Sequence, residues 1–129
     1  MLDLAPGWEL SVERGPDWLF VRVANPNGDA EEAPPLAERL SSLLQQHLTD
    51  RLVLELDRID ILRSYLIGQL VLLHQHLSQR GGVLRLAGLS PRNRKVLETC
   101  QLAGRFPDYR NRMDAVWCRS GAPAPVKPR

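Results

Sequence analysis

Apolar and polar residues alternate at the start of the chain. Trp8, Leu10 and Val12 are interleaved with Glu9, Ser11 and Glu13, which predicts a half-buried strand. Arg14-Gly15-Pro16-Asp17 supplies turn chemistry, and Trp18-Leu19-Phe20-Val21-Arg22-Val23 then reads as a second strand, so the first unit is a hairpin. From Ala24 to Pro35 the chain is rich in Asn, Pro, Gly and acid and is expected to be loop. Leu36, Leu40, Leu43, Leu44 and Leu48 follow at helical spacing. Leu52-Val53-Leu54-Glu55-Leu56 is an apolar run of strand length, as a central buried strand should be.

The second half repeats this change of period. Leu66, Leu70, Leu73 and Leu77 make one helical stripe, widened by Ile67 and Val71, and Arg80-Gly81-Gly82 ends it with glycine just past the helix C-terminus. Val83 to Ala87 is another short strand. Ser90 and Pro91 form an N-cap with a first-turn proline, opening a helix with Val96, Leu97 and Cys100 on its inner face. Phe106 to Tyr109 fits an edge strand that tolerates Pro107, and Arg112 to Trp117 fits a short closing helix. The order ββαβαβα(β)α predicts the α/β class, with a mixed sheet because the opening hairpin is antiparallel. One domain is expected over residues 5–118, with 119–129, Pro- and Ala-rich and without an apolar anchor, as a disordered tail.

Composition narrows the function more by exclusion than by indication. With 129 residues, 43% hydrophobic and 25% charged, the chain has ordinary globular values, which excludes wholesale disorder, collagen and coiled coil. Aromatic residues at 5% are too few for a base-stacking platform. Residues 1–79 hold six basic and twelve acidic side chains, and residues 80–129 eleven and three, so the charge is divided unevenly although the whole is only +2. Cys100 and Cys118 make no disulfide framework, and no Cys/His group has metal-ligand spacing. The N-terminus lacks the pattern of a signal peptide, and the longest apolar run, LIGQLVLL, is broken by Gln69, so a soluble cytoplasmic protein is expected.

Enzyme chemistry is scarcely represented, and neither a catalytic residue nor a cofactor or metal is expected. His74 and His76 differ by about 200° around a helix and cannot chelate one ion as an i, i+4 pair would. No phosphate-cradling glycine loop is present. Asp57 and Asp60 are spaced like an acid pair but are expected in a solvated loop beside Arg58 and Arg63. Arg92, Arg94, Lys95, Arg105, Arg110 and Arg112 form a basic cluster in sequence without a recognisable nucleic-acid motif, so direct nucleic-acid binding is not expected.

Residues 55–70, ELDRIDILRSYLIGQL, resemble the signature of the STAS domain family, roughly D-L-S-G-V-x-F-I-D-S-(S/T)-G-L-G-x-L. Leu56, Ile59, Ile61, Leu62, Ser64, Ile67, Gly68 and Leu70 fit its apolar, serine and glycine positions. Downstream, the Gly-Gly turn, the Ser-Pro helix cap, the V-L-E helix and the L-x-x-x-F exit follow in register, and Asp114-Ala115-Val116 stands where the family often has an acidic-Ala-Leu helix. The resemblance implies a single STAS-like domain, with a four- or five-stranded mixed sheet and helices mainly on one face. It implies a non-enzymatic anti-sigma-factor antagonist that binds an anti-sigma factor of the histidine-kinase-like ATPase type and releases a sigma factor. Another family role, an accessory subunit on an ABC-transporter ATPase, is the alternative. The family's phosphorylated hydroxyl maps to Ser64, and Asp57, Asp60, Arg63, Ser64 and Tyr65 are the partner-binding candidates. In the phosphorylation box Arg63 replaces Asp, Tyr65 the small hydroxyl residue and Leu66 the glycine, and Asn25-Pro26-Asn27-Gly28 stands near the family's first-loop G-E-(L/I)-D. Read from the residues alone, Ser64 is expected to be a plain N-cap. Tyr65 is expected either as an exposed anchor or as packing on the first helical turn.

Overall fold

The computed structural model describes residues 2–5, 8–25 and 35–117. Its opening hairpin joins strand β2 (Trp8–Arg14) to β3 (Leu19–Ala24), with a further short strand, β1 (Leu2–Ala5), on the outer side of β2. Helix α1 (Leu36–Gln46), strand β4 (Arg51–Arg58), helix α2 (Ser64–Gln79), strand β5 (Val83–Ala87), helix α3 (Pro91–Thr99), strand β6 (Asp108–Tyr109) and helix α4 (Arg112–Val116) follow in turn. The sheet order is the sequence order, β1 to β6; β1–β2 and β2–β3 are antiparallel, and β3–β4, β4–β5 and β5–β6 are parallel. The α/β class, the mixed sheet and the element order agree with the sequence reading, and β1 raises the strand number to six. The expected loop between Ala24 and Pro35 falls largely outside the described residues, as does the expected tail.

Three successive β-α-β crossovers that each step to the next strand place their helices on the same side of the sheet. That side is built of leucine. Leu19, Val21 and Val23 of β3, Leu52, Leu54 and Leu56 of β4, and Leu84 and Leu86 of β5 meet Leu36, Leu40, Leu43 and Leu44 of α1 and Leu66, Ile67, Leu70, Leu73 and Leu77 of α2. Gln69, which interrupts the apolar run of α2, has a structural reason: its Oε1 accepts the Ala37 N–H, 3.0 Å away, in the first turn of α1. The opposite side carries a smaller cluster of Trp18, Val53, Ala87, Tyr109 and Ala115, the last of these from α4.

The three larger helices end in the same way. Beyond the cap, Leu48 (φ 54°), Gly81 (φ 72°) and Gln101 (φ 60°) take the left-handed conformation. The next N–H reaches back to the last turn: Thr49 to Leu44 O (3.1 Å), Gly82 to Leu77 O (2.7 Å) and Leu102 to Leu97 O (2.8 Å). Glycine adopts this conformation without Cβ crowding, and leucine and glutamine do not. Two expectations are corrected here. Leu48 does not continue the α1 stripe, because the helix closes at Gln46 and the reversal swings this residue outward, leaving it 90% exposed. Cys100 is exposed as the cap of α3 rather than lying on its inner face, which carries Asn93 and Leu97 instead.

Candidate functional site

The candidate residues gather where β4 and β5 run out at their C-terminal ends, the usual location of recognition loops in open α/β sheets. The chain leaves β4 after Arg58 and enters α2 at Ser64. Between them, Ile59 and Leu62 are buried in the main core, while Asp60, Ile61 and Arg63 are turned to solvent. Two apolar anchors thus hold the connection, and its polar residues project. The Ile59 N–H donates to Leu56 O at 3.1 Å, and Leu66 and Ile67 N–H both donate to Arg63 O at 3.0 Å, which starts the helix.

Ser64 is not the N-cap. The cap position belongs to Arg63, extended at φ −85° and ψ 160°, with no side-chain hydrogen bond to the helix. A guanidinium has donors only, so it cannot satisfy the free N–H groups of a first turn. Ser64 is therefore the first helical residue, and it is exposed. Tyr65 is half-buried and packs against the main core, which favours packing over a free anchor.

Asp57 and Asp60 do not share one loop. Asp57 lies on β4, and its carboxylate accepts from Arg22 Nε at 3.0 Å and stands 4.0 Å from Arg58 Nε. Gly88, at φ 77°, packs beside it; a Cβ there would stand 3.0 Å from the Asp57 Cβ and 3.3 Å from its backbone nitrogen. Asp60 is exposed and borders two depressions. One, of about 70 Å³, is lined by Trp8, Asn25, Ile59, Asp60, Ile61, Arg63 and Tyr65. The other is a shallow groove between Asp57, Arg58 and Asp60 on one bank and Ser90, Pro91 and Arg92 of the α3 start on the other. Asp60, Arg63 and Tyr65 are thus brought together, whereas Asp57 is drawn into an ion pair.

That ion pair belongs to a larger network on the α4 side. Glu55, 6% exposed, accepts from Arg22 at 3.1 Å and from Arg112 at 2.6 Å, and Arg112 also donates to Glu13 at 2.9 Å. The hydrogen bond to Glu55, above all, raises the Arg112 pKa. The basic cluster seen in sequence is divided by this arrangement. Arg112 and Arg110, the latter paired with Asp114 at 3.3 Å, lie with α4, whereas Arg92, Arg94 and Lys95 lie on α3.

The start of α3 also borders the site, through Ser90, Pro91 and Arg92. Ser90 and Pro91 were legible as a cap, and the Ser90 Oγ does accept the Asn93 N–H at 3.1 Å. Nothing local signals that Asn93 is buried. Among the described residues no group of three or more His, Cys, Asp or Glu side chains is placed to hold a metal ion, and His74 packs edge-on against Phe106 at 5.4 Å. No helix among the described residues is long and apolar enough to cross a membrane.

No curated protein sequence matches the chain. Solved structures do. An anti-sigma factor antagonist from Mycobacterium paratuberculosis is 22% identical, with a TM-score of 0.71 over 88% of this chain and 96% of that one. A STAS-domain anti-sigma-factor antagonist protein from Planctomyces limnophilus is 16% identical, with a TM-score of 0.66 over 85% and 97%. The antagonist SpoIIAA in its unphosphorylated form is 17% identical, with a TM-score of 0.67 over 84% and 93%. Bacillus SpoIIAA in its phosphorylated form is 16% identical, with a TM-score of 0.61 over 85% and 98%. At such identities these likenesses establish the fold. The family model for the STAS domain matches residues 9–115, from the first hairpin strand to the closing helix, and so this chain belongs to the STAS domain family.

Proposed function

We propose that this chain is a non-enzymatic interaction module of the anti-sigma-factor-antagonist kind, binding an anti-sigma factor of the histidine-kinase-like ATPase type and so freeing a sigma factor. The observation that carries this reading is the exposed Ser64 on the first residue of α2, flanked by exposed Arg63 and, through the loop, by exposed Asp60. A phosphate on Ser64 would meet the positive end of α2 and the Arg63 guanidinium, both of which attract anions, so local stability does not oppose it. Recognition does. Arg63 presents a cation where the family has a carboxylate, and a partner shaped for Asp would face an unpaired or like charge. Tyr65, packed on the core, adds bulk beside the hydroxyl. Weak phosphorylation and constitutive binding of a divergent partner follow. Asp60, Arg63, Ser64 and Tyr65 would meet that partner directly, and Asp57 would shape the same rim through its pairing with Arg22.

The test is recovery of the tagged protein from its native cells, with mass spectrometry of bound proteins and mapping of phosphate. The expected outcome is a kinase-fold anti-sigma factor, little phosphoserine at 64, and binding retained in Ser64→Ala. Recovery of a transporter ATPase instead would replace this reading with that of a transporter accessory subunit. Abundant phosphate at Ser64, with Ser64→Asp releasing a partner that Ser64→Ala keeps, would show an intact switch and overturn the constitutive reading.

A further inference from the structure

Asn93 stands in the first turn of α3 with none of its surface exposed, although Arg92 and Lys95 beside it are exposed. A buried amide is costly unless its donor and acceptor are both satisfied. Its partners lie outside its own helix. The Nδ2 donates to the Ile59 carbonyl at 2.9 Å, and the Oδ1 accepts the Leu62 N–H at 2.8 Å. Residues i and i+3 of a chain reversal ordinarily bond these same two groups to each other. Here the carboxamide accepts from one and donates to the other, so the two groups are bridged through the Asn93 side chain. Few side chains offer a donor and an acceptor in one plane at this reach, and an aliphatic residue offers neither. Space-filling alone would be met by an aliphatic residue, as it is one turn later at Leu97.

We infer that Asn93 is a positioning residue for the segment from Asp60 to Ser64. Its carboxamide sets the spread of the Ile59–Leu62 reversal, and Leu62 leads directly into Arg63 and Ser64. It thereby fixes where the projecting tip, Asp60 and Ile61, and the helix start are presented. It also binds the first turn of α3 to that loop, so the two banks of the groove between Asp60 and Arg92 move together. The positioning itself stands on geometry, and its consequence for binding rests on the recognition reading above.

The experiment uses Asn93→Leu and Asn93→Asp in the full chain. Hydrogen exchange is followed along the backbone, and trypsin cleavage after Arg58 and Arg63, which bracket the reversal, reads its opening directly. In Asn93→Leu the Leu62 amide is expected to exchange about tenfold faster, and cleavage after Arg63 to rise by a similar factor, beyond any change in β3, β4 and β5. Asn93→Asp keeps the acceptor for Leu62 and loses the donor to Ile59 while ionised, and acidification that protonates the new carboxyl restores the donor and tightens the reversal. This variant carries the same measurement if Asn93→Leu does not fold. Unchanged exchange at Leu62, or a rise spread evenly over the chain, overturns the inference. The partner recovered with the wild type supplies the second arm, with Arg63→Asp as reference. If Arg63→Asp releases the partner and Asn93→Leu retains it, the positioning role in binding is overturned and the recognition reading stands. If Asn93→Leu loosens the reversal while neither variant alters binding, the recognition reading falls and the geometric role of Asn93 remains.

Discussion

Leu54 and Glu55 are neighbours in β4 and point to opposite sides of the sheet. On the Leu54 side, three helices lay leucine on leucine, and the cohesion is non-directional and shared among many residues. On the Glu55 side, the five-residue α4 has little apolar surface to offer, and named polar contacts hold it. Arg112 reaches Glu55 and stacks over Phe20 at 4.6 Å, while Arg85 donates to Ala115 O at 2.6 Å and lies over Trp18 at 5.1 Å. The two sides should therefore yield unequally. The leucine side unfolds with the whole, whereas α4 hangs on a few directional bonds and should open separately.

Substitutions on either side put this contrast at risk. Leu54→Ala removes a fully buried side chain from the shared core and should cost about 2–5 kcal/mol in urea unfolding, with every probe shifting together. Glu55→Ala leaves Arg22 and Arg112 without their common acceptor. Both guanidiniums keep access to water, at 36% and 25% exposure, so the cost should be roughly 1–3 kcal/mol. Its signature should be early exchange of the α4 amides while β3 to β5 stay protected; equal loss everywhere would erase the contrast. Arg85→Met keeps much of the stem over Trp18 but removes the donor to the Ala115 carbonyl of α4, and should cost about 1 kcal/mol, again read first at α4. Glu13→Ala sharpens the boundary: its carboxylate is 72% exposed, and its loss should change the unfolding free energy by less than about 0.5 kcal/mol.

The same contrast explains what was legible in the sequence. The leucine side announces itself by period: the β4 run and the α2 stripe are local patterns, and they locate the core elements. Leu48 shows the limit of period, since spacing alone does not register that a helix has ended when leucine rather than glycine takes the left-handed position. β1 escaped because four residues, with a register shift between Asp3 and Ala5, carry too little alternation. At the candidate site the resemblance pointed to Arg63, Ser64 and Tyr65, but the N-cap role expected of Ser64 belongs to Arg63. Asn93 was not legible at all. The groups that require its amide lie 31 and 34 residues away, and no local rule encodes a demand made at that distance. The pairing of Asp57 with Arg22 is of the same kind, spanning 35 residues.

The margins of the sheet carry a consequence for behaviour at high concentration. An open strand edge is a template on which a second chain can add, and a long flat one invites fibrillar growth. Among the described residues one margin is β6, two residues long, and the other is β1, four residues long and irregular in register. Neither offers an incoming strand more than a few consecutive rungs. The long strand β4, apolar enough to be hazardous if bared, lies two places in from the nearer margin. Among the described strands the order thus keeps β4 away from both margins, and a change that sheds β6 or β1 would bring that hazard closer to the surface.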